Sequence, residues 1–248
     1  MPLAFLTASE AEALGVSVKV SLLAVAASLP VALALGWLLA RREFRGKVLV
    51  ETLISLPLVM PPVVTGYLLL VAFGRHGLLG QPLHDWFGIH IVFDWKGAAL
   101  ASAVVAFPLL VGPIRLAFAS IDPRLSLAAR TLGASRLDAF ASITLPLALP
   151  GIVAGCLLAF ARSMGEFGAT IMIAGSIPGE TRTVPIYLYN LLQSPSAAGE
   201  NDGTRMIVAS IVVALLALLI GGWLERRGRR RTAGGPTTRG GAHAAARV

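Results

Sequence analysis

Apolar residues in this chain gather into five uncharged runs, at 20–40, 52–74, 97–114, 139–161 and 206–224, none holding an Asp, Glu, Lys or Arg. A helix needs about 20 mainly apolar residues, within about 17–25, to cross the hydrocarbon of a bilayer. All five runs fall in that range. They predict spanning helices at about 14–40, 48–73, 98–119, 147–174 and 206–224. A soluble core helix accounts for one such run but not for five in a chain of 248 residues. The expectation is an all-α, polytopic helical membrane protein of about five transmembrane helices.

The polar segments between the runs refine this picture. Residues 1–13 form a short lead that carries Glu10 and Glu12 and no basic region, unlike a cleavable signal. Residues 74–97 form a loop with Trp86, Phe87 and Trp95, aromatic rings suited to headgroup level. Residues 175–204 are rich in Gly, Pro, Ser and Thr, and 184–192 within them suits a short interfacial or re-entrant helix. From 228 onward the tail is rich in Arg, Gly and Ala and reads as disordered. A transmembrane domain therefore spans 1–227, and 228–248 is a basic tail. No internal repeat is visible.

Composition supports the membrane reading. Apolar residues make up 56% and charged residues 14%, against about 25% charged in soluble domains. The net charge of +8 would suit nucleic acid, but its placement argues for topology. Basic residues cluster at Arg41, Arg42, Arg45 and Lys47, at Arg115, Arg124, Arg130 and Arg136, and at Arg226 to Arg231. Positive residues stay on the cytoplasmic side. Five spans then put the N-terminus outside and the C-terminus inside, with every basic cluster facing the cytoplasm and anionic lipid. Cys156 is the one cysteine; it lies in an apolar stretch and excludes a disulfide framework.

Two regions carry candidate chemistry. Pro57, Pro61 and Pro62 interrupt the second run. Proline removes a backbone donor and kinks a helix, and in lipid the freed carbonyls need partners in protein or water. The result is either a tolerated kink or a bent, pore-facing helix. Segment 120–146 holds the second signal. Asp122 is a good N-cap with Pro123 at the first helical position. Leu125, Ala128, Ala129 and Leu132 then form one apolar stripe, and Gly133 suits the left-handed residue that ends a helix. Ser135 can cap a second short helix carrying Leu137, Phe140 and Ile143, with Leu145 and Pro146 marking re-entry into the membrane. Such a helix–glycine–helix element is either an amphipathic surface feature or a docking element for a soluble partner.

Ala128 and Ala129, Gly133 four residues on, and Ile143-Thr-Leu-Pro146 have the spacing of the loop that marks ABC importer permeases, Glu-Ala-Ala, three residues, Gly, nine residues, Ile-x-Leu-Pro. Leu127 stands where that motif has glutamate. Three further stretches resemble molybdate permeases: Leu56-Pro-Leu-Val-Met-Pro-Pro-Val-Val-Thr-Gly66, Phe160-Ala-Arg-Ser-Met-Gly-Glu-Phe-Gly-Ala-Thr170 and Pro178-Gly-Glu-Thr-Arg-Thr183. Sulfate and thiosulfate permeases share the Gly-Glu-Phe/Tyr-Gly element, whereas the Pro-Gly-Glu-Thr-Arg-Thr stretch favours molybdate or tungstate. The resemblance runs from about 17 to 225.

The resemblance implies a type I ABC importer permease fold in the bacterial inner membrane, working as a homodimer with two ATP-binding cassette subunits and a periplasmic molybdate-binding protein. It implies a coupling role for Ala128, Ala129, Gly133, Ile143, Leu145 and Pro146. This chain has no GxxxxGK[ST] phosphate loop, so ATP and Mg are expected on the partner ATPase, with no cofactor or metal in this chain. A translocation path or gate is expected at Pro57, Pro61, Pro62, Arg162, Glu166, Gly168 and Thr170. Arg162 and Glu166, four apart, can neutralise each other on one helix; the pair fixes packing or contacts substrate. Gly165 and Gly168 permit tight helix contact. Thr181, Arg182 and Thr183 suit an oxyanion, a docked binding protein, or an ordinary solvated loop.

Two other classes fit these residues poorly. A membrane-embedded enzyme needs a polar catalytic cluster, but His76, His84 and His90 share one loop and His243 lies in the tail, without a zinc or nucleophile pattern. A passive channel needs no coupling loop.

Overall fold

The computed structural model describes residues 6–193 and 200–232. Within them the chain is helical: α1 Ala8–Arg41, α2 Lys47–Val59, α3 Pro62–Phe73, α4 Gly80–Phe87, α5 Trp95–Ser120, α6 Pro123–Thr131, α7 Arg136–Ala139, α8 Leu145–Met164, α9 Gly168–Ala174, α10 Val184–Gln193 and α11 Glu200–Thr232, with a single π-helical turn, Phe140–Thr144, joining α7 to α8.

The central helix is α5. Asp94 starts it, its carboxylate accepting the Lys96 amide at 2.9 Å. Small residues line its buried side (Ala98, Ala101, Ser102, Ala106), and Leu110, Ile114 and Phe118 fill the other end. Both α1 and α8 pack along it, and α11 packs on α8. Lipid tails are as apolar as leucine, so burial alone does not drive helices together in a bilayer; close van der Waals contact at small residues does. The α8–α5 contact shows this. A methyl group on Gly155 would meet the Leu110 carbonyl oxygen at 2.7 Å, so glycine sets how near the two backbones come.

Two apolar clusters divide the interior. One joins Val16 and Val20 of α1, Ala98, Ala101 and Val105 of α5, and Ala169, Ile173 and Ala174 of α9. The other joins Ala32, Leu110, Ile114, Phe118, Ala148 and Ile152 near the opposite end. At the first end α10 closes on α1 and α11 through Ala13, Val184, Tyr187 and Met206.

Several boundaries differ from expectation, each for a local reason. α1 begins at Ala8 rather than near 14, because Thr7 and Glu10 form a capping box: the Thr7 amide donates to Glu10 Oε2 at 2.6 Å, and the Glu10 amide to Thr7 Oγ1 at 3.4 Å. Glu10 is buried and faces Arg205 Nε of α11 at 3.5 Å, so it belongs to the bundle and not to a loose lead. The second run is two helices, not one kinked helix. α2 and α3 meet at 112°, because Pro61 and Pro62 remove consecutive amide donors. The fourth run divides as well. Arg136–Met164 is one helical rod, then Gly165, Glu166 and Phe167 break it before α9.

Among the described residues, α1, α5 and the Arg136–Met164 rod are each long and apolar enough to cross a membrane, and α2 with α3 makes a broken fourth crossing. The fifth run lies in α11, whose described apolar stretch, Gly203–Ala217, is shorter. The 74–97 loop contains α4, and the 184–192 segment is α10. Residues 228–232 continue α11 rather than starting the tail; 233–248 lie outside the described residues.

Candidate functional site

The 120–146 segment is built from its caps. The Asp122 carboxylate accepts the Arg124 amide at 2.9 Å, and Pro123 opens α6. At the other end Gly133 sits at φ +96. Its amide donates to the Arg130 carbonyl at 3.2 Å, and the Ala134 amide to the Ala129 carbonyl at 3.1 Å. These two bonds form a Schellman cap, which needs the left-handed conformation that glycine adopts most easily. A Cβ at 133 would meet nothing within 4 Å among the described residues. The helix end is therefore open at Cβ, and within the described residues conformation rather than space selects glycine.

Ser135 and Asp138 form a second capping box. Ser135 Oγ accepts the Asp138 amide at 3.1 Å, while the Asp138 carboxylate accepts from the Ser135 hydroxyl at 2.6 Å and from its amide at 3.2 Å. These bonds favour the ionised acid and hold the Asp138 carboxyl below the usual carboxylate range.

The expected second short helix does not end at Pro146. It passes through the π turn straight into α8, the Leu145 amide reaching back to the Phe140 carbonyl. In an α-helix the Pro146 ring would strike the carbonyl four residues earlier; one widened turn relieves this while keeping the rod continuous. Leu145 and Pro146 thus lie inside a rod of 29 residues.

Among the described residues α6 is left largely uncovered. It has no buried residue, and Leu127 and Leu132 are 59% and 89% exposed. Leu137 stands equally bare beyond the cap, while Ile143 is half-buried.

The proline and glycine–glutamate elements come together. α3 packs against α9. Thr65 and Gly66 are the buried residues of α3. A Cβ on Gly168 would lie 3.0 Å from Pro62 Cβ and 3.2 Å from the Val63 backbone nitrogen. The two helix breaks, Met60–Pro61 and 165–167, thus abut. Pro61 and Pro62 belong to this junction, whereas Pro57 lies within α2.

Arg162 lies in the last turn of α8 and Glu166 within the second break, rather than both on one helix. They still pair, with Arg162 Nη1 2.7 Å from Glu166 Oε2, a close ion pair without hydrogen-bond alignment. The other carboxylate oxygen accepts the Ala169 amide at 2.9 Å. Arginine at the C-terminal end of α8 and glutamate before the N-terminal end of α9 each complement the helix dipole there. The pair joins the two half-helices electrically. Glu166 is 1% exposed and Arg162 30%, so the accessible side of the pair is cationic. Thr170 is buried, and its hydroxyl donates to the Phe167 carbonyl at 2.9 Å.

The 181–183 stretch is turned inward. Thr181 and Thr183 are buried, which removes the solvated-loop reading for both. Thr181 Oγ1 accepts the Ile177 amide at 2.9 Å. Arg182 is half-buried, its Nε 3.4 Å from Ser176 Oγ, which also accepts from Asn190 Nδ2. Val184 ties the segment to α1 through Ser17 Oγ at 2.8 Å.

Two structural pairs escaped sequence reasoning. Glu51 of α2 meets Arg115 of α5 at 2.9 Å, and Glu10 meets Arg205. The Thr7-x-x-Glu10 pattern marks a helix start and so places Glu10 on α1, but nothing local marks the partner of either pair.

Residues 32–232 match the family described as binding-protein-dependent transport system inner membrane component. Over 212 residues the chain is 54% identical to a molybdenum transport system permease protein of Escherichia coli, covering 86% of this chain and 92% of that one. It is 51% identical over 208 residues to the corresponding protein of Haemophilus influenzae, covering 84% and 90%. Among solved structures, a bacterial ABC transporter that imports the acidic polysaccharide alginate superposes with a TM-score of 0.67 at 20% identity, covering 92% of this chain and 82% of that one. That likeness establishes the type I ABC importer permease fold.

Proposed function

The chain belongs to the family of binding-protein-dependent transport inner-membrane components, and on that premise we propose that it is the membrane-spanning permease subunit of a molybdate importer. Two copies form the channel. Two ATP-binding cassette subunits dock from the cytoplasm and a periplasmic molybdate-binding protein delivers the ion. ATP and Mg are held by the cassette subunits; this chain catalyses no reaction and holds no cofactor. The protein lies in the inner membrane with its N-terminus outside and its C-terminus inside.

The observation that carries this reading is the bare α6 joined to a continuous rod. Exposed leucines beside arginines at the cytoplasmic face need a protein cover. Ala128 and Ala129 let a partner's surface come near the α6 backbone. The rod beginning at Arg136 is about 43 Å long at 1.5 Å per residue. It ends at the 165–167 break, against Pro61 and Pro62. A push received at α6 therefore arrives where two discontinuous helices meet, the arrangement transporters use at membrane depth. The breaks form the gate, with Arg162, Glu166, Gly168 and Thr170 at its hinge.

The electrostatics suit a dianion. A lone carboxylate in the path would repel it; Arg162 and the α9 amide neutralise Glu166 and leave the cation outermost. Tight capture belongs to the separate binding protein, since an ion held strongly in the channel would not leave. The high identity to molybdenum permeases favours molybdate over sulfate.

The test is uptake of labelled molybdate, tungstate and sulfate in a strain lacking this chain. Expression of the chain should restore molybdate uptake, and rescue of sulfate alone would defeat the assignment.

A further inference from the structure

A cavity of about 740 Å³ opens between the C-terminal end of α1 and the α6–α7 segment. One end is lined by Arg42, Arg130 and Arg136; the other by Leu33, Trp37 and Phe140. Trp37 and Phe140 meet edge to face at 6.4 Å, which fixes the apolar wall. None of the three arginines is ion-paired with a carboxylate among the described residues.

We propose that this cavity is a site for an anionic phospholipid of the cytoplasmic leaflet, its phosphodiester against Arg42, Arg130 and Arg136 and an acyl chain along Leu33, Trp37 and Phe140. Charge complementarity selects the head. Depth selects the lipid over other anions and over a soluble protein. Nine residues of helix separate Leu33 from Arg42, about 13 Å along the axis, so the cavity runs from headgroup level into the hydrocarbon, where a cytoplasmic ATPase does not reach. Its volume would take on the order of 25 waters at about 30 Å³ each, far more than one tetrahedral oxyanion. Basic pockets between helices on the cytoplasmic side are suited to such headgroups. The lipid would brace α6 against α1 and so set the resting position of the coupling segment. The site depends on the chain lying in the membrane, and not on which ion it carries.

The full chain, extracted from membranes and delipidated, is examined by native mass spectrometry after exposure to phosphatidylglycerol or phosphatidylcholine. One phosphatidylglycerol per protomer should remain, and phosphatidylcholine should not. Each Arg→Gln change should weaken retention about fivefold, and R42Q/R130Q/R136Q about 100-fold. The R45Q variant, outside the cavity, should match the parent. Millimolar inorganic phosphate should not displace the lipid. Equal retention of both lipids, equal retention by the triple variant, or displacement by phosphate would overturn the proposal. So would a triple variant that loses ATPase binding with its lipid unchanged. A phosphatidylglycerol with a photoactivatable acyl chain gives a check without mutation: crosslinks should fall on peptides containing Leu33 and Trp37, and their absence there would overturn the site.

Discussion

Gly66 and Ala169 meet backbone to backbone: a methyl group on residue 66 would stand 2.6 Å from the Ala169 carbonyl oxygen and 2.7 Å from its Cα. No flexible side chain lies between them to yield, so α3 and α9 keep their spacing only while residue 66 is glycine. Gly66→Ala should therefore displace one half-helix from the other. Overpacking of this kind costs about 1–3 kcal/mol. Thermal unfolding in detergent should show a lowered midpoint, and molybdate uptake should fall more than membrane abundance does. Unchanged uptake at unchanged midpoint would mean that α3 and α9 are not held together here.

The Arg162–Glu166 pair makes a prediction with a sign. Glu166 is nearly inaccessible, so removing Arg162 leaves a carboxylate without its countercharge. Breaking a buried pair on one side costs about 3–5 kcal/mol, whereas replacing both partners by neutral groups is often tolerated; the partial exposure of Arg162 places the loss toward the lower end. Arg162→Gln should destabilise strongly, and Arg162→Gln with Glu166→Gln should recover part of the loss. A double-mutant cycle on unfolding midpoints measures this. A double variant as unstable as the sum of the singles would show that the two groups act independently.

How far such relationships are visible in sequence depends on their range. The crossings at α1, α2–α3, α5 and the Arg136–Met164 rod were legible because the membrane imposes length and polarity on each. The α6 cap was legible because Asp122, Pro123 and Gly133 act within a few residues of one another. The break at 165–167 was not, since glycine is common in continuous membrane helices. It abuts Pro62, where a Cβ on Gly168 would lie 3.0 Å from the proline Cβ, more than a hundred positions away in the chain. The size of the α2–α3 bend was hidden for a similar reason: prolines announce an interruption but not its angle. The inward turn of Thr181 and Thr183 depends on the fold of 176–190, which a polar composition does not reveal.

At Gly133 the requirement is for a positive φ and not for space. Substitutions should rank by their tolerance of the left-handed region. Gly133→Asn should keep most uptake, Gly133→Ala less, and Gly133→Val least, since β-branched residues suffer most there. Gly133→Asp should also impair transport, with insertion intact. Uptake normalised to membrane abundance is the measurement, and a ranking by side-chain volume alone would contradict the open helix end.

Leu132 is the sharpest probe of the proposed docking surface. It is 89% exposed and lies between the helix proper and its glycine cap, so its side chain supports nothing within the described chain. Leu132→Ser should accordingly leave the unfolding midpoint within about 0.5 kcal/mol of the parent, as surface changes usually do. A leucine seated in a partner's cleft behaves differently. Truncating a side chain at the centre of an interface costs about 1–2 kcal/mol or more, which is about tenfold in affinity. Pull-down of the cassette subunit by the purified permease should weaken by that factor, and ATP-driven uptake should fall with it. The two readouts separate the alternatives. A lowered midpoint would place Leu132 in the chain's own packing, and an unchanged affinity would move the docking surface away from α6.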